Sequence, residues 1–418
     1  MNSVIDLRSF IREGDSILWS QTTAEPLSLT EALVNQREAI GPCSVFVGAT
    51  FSQTLQPAHA DFLNISSFGG LGQNRKLIAN GALSVVPFHG SELCAMIEQG
   101  VIKCDVAMLQ VSPPGPDGKH SMGIANDYMV AAAKRARVVI AEINEQMPWT
   151  RTTKELDGIN MAVVLHSDRP LIEVPRGQIT QTEKQIAAHA APFIEDRAIL
   201  ELGIGSVPEA ILSTLLDRKD LGIHSGVLGD AMLDLVSSGV ITIAHKTIDR
   251  GQITTASLMG TRKLYDFAFN NAALNLRPYA YTHAHRVLAQ IDNFVAINSA
   301  IEVDLTGQVN AEVMNGQYVG ATGGLVDFVR GAMAAKRGRS IIALPSSTQS
   351  GRVSRIVSSL TGGCVTSSRC DADVVVTEWG AAQLRGQSLA ERVKRMIAIA
   401  HPDHREELAR DAKTSLSL

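Results

Sequence analysis

His224 and Ser225 stand side by side in LGIHSGVLGD (221–230), and His283 and His285 lie two apart in YTHAHR (281–286). A serine beside a histidine invites a nucleophile–base reading. Neighbouring side chains on an extended segment point apart, however, and no Gly-x-Ser-x-Gly elbow surrounds any serine. The two-apart histidines would share one strand face, but a metal needs a third ligand and none is identifiable. Structural roles are therefore expected for these groups. Glycine-rich loops give a stronger signal: SSFGGLGQNRK (66–76), SPPGPDGKHSMGIANDY (112–128), LGIGSVPEA (202–210), LGIHSGVLGD and YVGATGGLVDFVRGA (318–332). Glycine lets backbone N–H groups approach a ligand closely. Where a helix follows, as after Gly203-Ile204-Gly205, those groups can hold an anion. Several such loops in one chain point to an extended, polyanionic ligand. Dinucleotide binding is not expected, because Pro208 stands where a third glycine belongs and no acidic residue follows a second strand about 20 positions on.

Those loops must be positioned by elements that recur along the chain. Short apolar, β-branched runs occur at 44–50, 83–88, 106–111, 138–143, 162–165, 199–205, 240–244, 294–300, 340–345 and 373–379, each bounded by Gly, Pro, Asn or polar clusters. Such runs read as strands buried on both faces. Amphipathic patterns at 28–40, 91–100, 207–216 and 388–400 read as helices between them. The alternation predicts α/β units with largely parallel sheets. A chain of 418 residues exceeds one ordinary core, so two domains of roughly 200 residues are expected. The polar stretch 176–198 marks the boundary, giving residues 1–185 and 186–418. Gly100-Val101-Ile102 and Gly239-Val240-Ile241 each follow a helical pattern, which would fit two related domains in tandem or chance.

Bulk properties exclude several classes. The chain is 45% hydrophobic and 19% charged, with net charge −4, a folded, globular balance. No basic stripe with interleaved aromatics suggests nucleic acid. The N-terminal residues carry charge throughout and lack the apolar region of a secretion signal. No apolar run approaches the about 18 residues of a membrane span, so a soluble, cytoplasmic protein is expected. Cys43, Cys94, Cys104, Cys364 and Cys370 are odd in number and unclustered, which predicts free thiols rather than disulfides or zinc.

The ordered set of motifs closely resembles the acetyl-CoA hydrolase/transferase family, from about Gln21 to about Ile399. The matching stretches include AEPLSLTEAL (24–33), SFGGLGQNRKL (67–77), PFHGSEL (87–93), 101–128, VVIAEINEQMPWT (138–150), LGIGSVPEAI, LGIHSGVLGDAMLDLVSSGVI, AINSAIEVDLTGQVNAE (296–312), GATGGLVDFVRGA (320–332), GRVSRIV (351–357) and DVVVTEWGAAQLRG (373–386). The resemblance implies two similar CoA-transferase-type α/β domains, with most of the site in the second. It also implies a homodimer, acyl-CoA and a small carboxylate as substrates, and no permanently bound cofactor or metal. In the family a glutamate attacks the thioester, giving an acyl-glutamyl anhydride and then a glutamyl-CoA thioester that an incoming carboxylate collects. Oxyanions formed on the way are held by backbone N–H groups of glycine loops.

Carried over by position, that glutamate falls on Gly226, which has no side chain. The family's glycine motif reads here Gly320-Ala321-Thr322-Gly323-Gly324-Leu325-Val326-Asp327-Phe328, with Ala321 in place of a glycine and Leu325 in place of a polar residue. The candidate catalytic set is therefore position 226 itself with His224, Ser225 and Glu302. Glu201 is a second carboxylate in a family motif. The candidate oxyanion and CoA-binding set is Gly203, Ile204, Gly205, Gly320, Ala321, Gly323, Gly324, Lys336 and Arg352. Lys336, Arg337, Arg352 and Arg355 cluster after the glycine motif and would either meet CoA phosphates or form a solvated face. Three functions follow as expectations: acyl-CoA hydrolysis or transfer without a glutamyl intermediate at 226, conventional transfer through a relocated glutamate, or CoA binding without catalysis.

Overall fold

A computed structural model describes residues 5–348 and 351–415. The first four residues, part of the N-terminal stretch read above for a secretion signal, lie outside the described residues. The chain forms two compact units. The first comprises Met1–Pro175, Thr254–Thr282 and Gln317–Gly323, and the second Arg176–Ile253, His283–Gly316 and Gly324–Leu418.

In the first unit, seven strands form a parallel sheet: β1 (Ser16–Trp19), β2 (Cys43–Val47), β3 (Leu63–Ser67), β4 (Leu83–Val85), β5 (Val106–Val111), β6 (Val138–Asn144) and β7 (Val163–Ser167), in the order β4-β3-β2-β1-β5-β6-β7. Alternate residues of these strands feed two separate cores. Ile17, Trp19, Val45 and Val47 pack with Leu29 and Leu33, whereas Leu18, Phe46, Ala107 and Leu109 pack with Met129 and Leu93. Both faces are thus covered, which is why these strands read as continuous apolar runs.

In the second unit, β8 (Ile199–Leu202) and β9 (Gly222–Leu228) pair in parallel, and the strand Phe294–Ser299 lies on the other side of β8. Arg339–Ala343 and Val374–Thr377 continue in parallel, and Gly380–Gln383 closes antiparallel. One face of this sheet packs Phe294, Ala296 and Ile199 against Phe328 and Ala332 of helix Leu325–Ala334. Further along the same face, Ile342 and Val375 pack with Val326 and Val329 of that helix and with Val393 and Met396 of helix Leu389–Ile399.

One local expectation is corrected. The run 240–244 is not a strand: after helix Ala231–Ser237 the backbone turns at Gly239 (φ +77°) and again at Ile243 (φ +54°), leaving only a single bridge from Leu221 to Ile241. The polar boundary stretch contains helix Gln181–Ala190, started by a capping box in which Thr180 N–H donates to Glu183 Oε2 at 2.6 Å. His224 lies inside β9. Gly100 and Gly239 share one role, each turning the chain at φ +77° directly after a helix.

Candidate active site

The site residues of the second unit are set by register. Ile199 pairs with Gly222 and Phe294 with Ile199, and paired residues of adjacent strands share a face. Gly222, His224 and Gly226 therefore line up with Ile199, Glu201 and Gly203, and with Phe294, Ala296 and Asn298. Contacts agree with this. A Cβ at Gly222 would lie 2.6 Å from Ile199 Cδ1, and one at Gly203 would lie 3.1 Å from Asn298 Oδ1. Asn298 Nδ2 donates to Glu201 Oε2 at 2.7 Å.

Ser225 points to the opposite face. Its hydroxyl accepts from Leu202 N–H at 3.2 Å and lies 2.9 Å from the Val227 carbonyl. It ties β9 to β8 rather than facing a substrate. His224 is fully buried, edge-on to Phe294 at 6.3 Å, with Nδ1 4.0 Å from Asp249 Oδ2. Beneath the same strand, buried Lys246 donates to the carbonyls of Ile223 and Gln252, both at 2.8 Å. Burial brings its pKa down to about 8.

His283 joins this face. Its ring lies 4.6 Å from that of Phe328, which in turn lies 6.5 Å from Phe294. Burial, and secondarily the charge of His224, push the His283 pKa down to about 3, so its imidazole is neutral at physiological pH. Spacing alone gave no reason to single out His283 over His285. The signal is the absence of side chains at Gly226 and Gly324, against which the ring sits.

The two candidate carboxylates differ. Glu201 is fully buried, and burial raises its pKa to about 8 against the opposing Asn298 hydrogen bond. Near neutral pH it is mostly a protonated acid, and therefore a poor nucleophile. Glu302 belongs to a separate three-stranded sheet (Glu302–Asp304, Val309–Asn310, Ile356–Val357). It accepts from Asn310 Nδ2 at 2.9 Å and approaches Gly363 and Arg355. It is not on the face that carries His224 and Gly226.

Among the glycine-loop candidates, Gly203-Ile204-Gly205 leaves the end of β8 and caps helix Ser206–Ser213, with Gly205 at φ +123° and Ile204 exposed. Ser206 is anchored by a hydroxyl bond to Glu183. Gly320, Ala321 and Gly323 fall in the first unit. There Gly70 N–H donates to Gly320 O at 2.7 Å and Gly90 N–H to Gly323 O at 2.8 Å. A Cβ at residue 69 would come within 2.4 Å of the Ala321 methyl, so Gly69 makes room for Ala321. Leu325 opens helix Leu325–Ala334 and is buried with Val303, Ile342 and Leu344, which makes it a core residue. Lys336 and Arg352 are exposed. Among the described residues, no group of three His, Cys, Asp or Glu is placed to hold a metal, and no helix is long and apolar enough to cross a membrane.

Residues 1–164 match the family model for the acetyl-CoA hydrolase/transferase N-terminal domain, and residues 260–412 match that for the C-terminal domain. The chain is 38% identical to the 4-hydroxybutyrate coenzyme A transferase of Clostridium kluyveri, over 97% of this chain and 95% of that one. The crystal structure of RipA from Yersinia pestis superposes with a TM-score of 0.92 at 34% identity, covering 98% of this chain and 96% of that one. The structure of 4-hydroxybutyrate CoA-transferase from Porphyromonas gingivalis gives a TM-score of 0.81 at 31% identity, covering 97% and 95%.

Proposed function

This chain belongs to the acetyl-CoA hydrolase/transferase family, and from that premise we propose that it processes acyl-CoA thioesters without a glutamyl-CoA intermediate at residue 226. That it is an enzyme acting on acyl-CoA thioesters of small carboxylic acids follows from the family. The observation that carries the finer reading is Gly226, a residue with no group to attack a thioester, on the strand face that also holds Gly203 and Asn298.

Neither alternative carboxylate supports a relocated intermediate. Glu201 is held protonated, and Glu302 faces Asn310 in another sheet. Without an enzyme-bound acyl group, both substrates must be present together, and the acceptor oxygen attacks the thioester directly. An acceptor carboxylate gives CoA transfer and water gives hydrolysis. Gly203, Ile204, Gly205, Gly320, Ala321, Gly323 and Gly324 are proposed to hold the thioester and CoA through backbone N–H groups. Exposed Lys336 and Arg352 are proposed to meet CoA phosphates. His224 is proposed to orient the reacting groups from below. As the resemblance implies, the enzyme is further proposed to act as a cytoplasmic homodimer on acyl-CoA and a small carboxylate, with no resident cofactor.

Initial rates over a grid of acyl-CoA and carboxylate concentrations test this. Intersecting reciprocal plots are expected, and borohydride or hydroxylamine treatment of the enzyme with acyl-CoA should modify no glutamate. Parallel plots with a modified glutamate would refute the reading and identify the relocated nucleophile. Turnover without any carboxylate would make the enzyme a hydrolase.

A further inference from the structure

The parallel strands of the second unit end on one edge of their sheet. β8 runs out there into Gly203-Ile204-Gly205, and Val374–Thr377 runs out into Glu378 and Trp379. Three strand spacings separate the two, about 14 Å. In open α/β sheets, ligands bind outside the carboxyl ends of the strands. Trp379 is the open aromatic of this edge. It is 45% exposed, whereas Trp19 and Trp149 are 1% and 8% exposed. Its backbone is fixed. Trp379 N–H donates to Thr377 Oγ1 at 3.1 Å, and that hydroxyl donates to the Ile399 carbonyl at 2.6 Å. His401 lies edge-on to the indole at 5.7 Å, and the Arg405 guanidinium lies 5.8 Å from the ring centroid. His404 Nε2 donates to the Gly351 carbonyl at 2.9 Å, which ties the residue before exposed Arg352 to the same group. Two carboxylates are close. Glu378 accepts from the N–H and hydroxyl of Ser346 at 2.8 and 2.6 Å, and Asp403 lies 3.7 Å from His401 Nδ1. Among the described residues no carboxylate pairs with Arg405, whose Nε donates to the Ala400 carbonyl at 3.0 Å. An open indole beside an unneutralised guanidinium suits a ligand that has both a π-face and negative charge.

Resting on the reading above, that the glycine loop after β8 holds the thioester of an acyl-CoA, we propose that Trp379, with Arg405 and Arg352, forms the subsite for the nucleotide end of that substrate. The adenine stacks on the indole, and the phosphates meet the two guanidiniums. CoA carries its thiol at one end and an adenine with phosphates at the other, joined by a long flexible arm. A thioester held at Gly203-Ile204-Gly205 therefore leaves the nucleotide to be held further along the same edge, which is where Trp379 stands. A purine stacks on an indole because both present π-faces. A guanidinium meets phosphate through a planar fork of N–H donors. His401 and His404, with ring centroids 5.8 Å apart, brace the indole edge and the Gly351 turn. The subsite grips the part of the substrate common to all acyl-CoAs, so its binding energy is independent of the acyl group and is remote from the reacting bond.

Fluorescence reads the site directly, because Trp19 and Trp149 are buried and acrylamide reaches chiefly Trp379. Desulfo-CoA and adenosine 3′,5′-bisphosphate should each protect the wild-type emission from quenching, whereas pantetheine should not. Desulfo-CoA that binds by calorimetry and leaves quenching unchanged overturns the proposal. Protection by the bisphosphate alone would mark a site for free nucleotides and also overturn it. Trp379→Leu removes the stacking surface. Stacking of a base on an aromatic side chain is worth about 5- to 150-fold in affinity. The ratio of kcat/KM for acyl-CoA to that for the same acyl group on pantetheine should fall by that factor, and Arg405→Gln should lower the same ratio. A packing defect would lower both rate constants together, so an unchanged ratio in folded Trp379→Leu overturns the proposal. Should that variant not fold, quenching of the wild-type enzyme decides. Protection by desulfo-CoA in an enzyme that turns over no acyl-CoA would keep the subsite and remove the reading on acyl-CoA processing. Turnover without protection would do the reverse.

Discussion

Glu201→Gln offers a quantitative test of the buried carboxyl. In the folded protein this group titrates at about 8, against 4.5 for an ordinary glutamate, because burial disfavours its charged form. The unfolded chain ionises above pH 4.5 while the folded chain keeps its proton until about pH 8. The stability this group contributes is therefore fully present below pH 4.5 and is lost as pH rises towards 8. Each pH unit in that window costs about 1.4 kcal/mol, so at pH 7 the loss is about 3 kcal/mol. Glutamine keeps an acceptor for Asn298 Nδ2 and does not titrate. The variant should thus exceed wild type in stability by under about 1 kcal/mol at pH 5 and by about 3 kcal/mol at pH 7. Urea denaturation across that range measures the gap. A gap that stays constant from pH 5 to 7 would show that the carboxyl is ionised when folded, and would restore Glu201 as a possible nucleophile. Acyl-CoA turnover should survive the substitution, since a protonated acid has no part in the proposed reaction.

Gly226→Glu alone should gain little glutamyl-CoA chemistry, because its Cβ meets His283 at 3.0 Å and Phe328 at 3.3 Å. Combined with His283→Ala it should gain a borohydride-sensitive adduct at residue 226, read by mass spectrometry. Gly324→Ala places a methyl 2.6 Å from His283 and 2.8 Å from Phe328. Overpacking of this kind costs about 1–3 kcal/mol, and the fall in kcat should be larger than for Gly226→Ala, whose contacts are longer. Ser225→Ala should lower stability by about 1 kcal/mol through the lost backbone bonds and leave kcat within about threefold of wild type; a greater fall would bring the hydroxyl back into the chemistry.

What could be read ahead of the structure followed from burial. Val106–Val111 is buried at every position, so composition alone marks it as a strand. β9 escaped because its strand positions are filled by Gly222, His224, Ser225 and Gly226, which carry no apolar period. Their burial comes from neighbours distant in sequence. The run at 240–244 misled for the converse reason, since its β-branched residues follow Gly239 into a turn where Ile243 takes a positive φ. Local propensity there is overridden by the path of the chain. Gly226 could be singled out by family resemblance, but its partner could not. His283 lies 57 positions away, and no spacing rule links a glycine to the ring that fills its place.

The first unit draws on three stretches of chain, the last ending at Gly323. During synthesis its seven-stranded sheet is available once residue 167 has emerged, but the segments 254–282 and 317–323 that complete it arrive only after much of the second unit has been made. The nascent chain must therefore hold a partly finished first unit in a soluble state until residue 323 has emerged, and contacts that span such long sequence separations form slowly. Truncation after Pro175 should yield an aggregation-prone fragment rather than a free-standing domain. Chaperone dependence should accordingly be highest for chains released before residue 323.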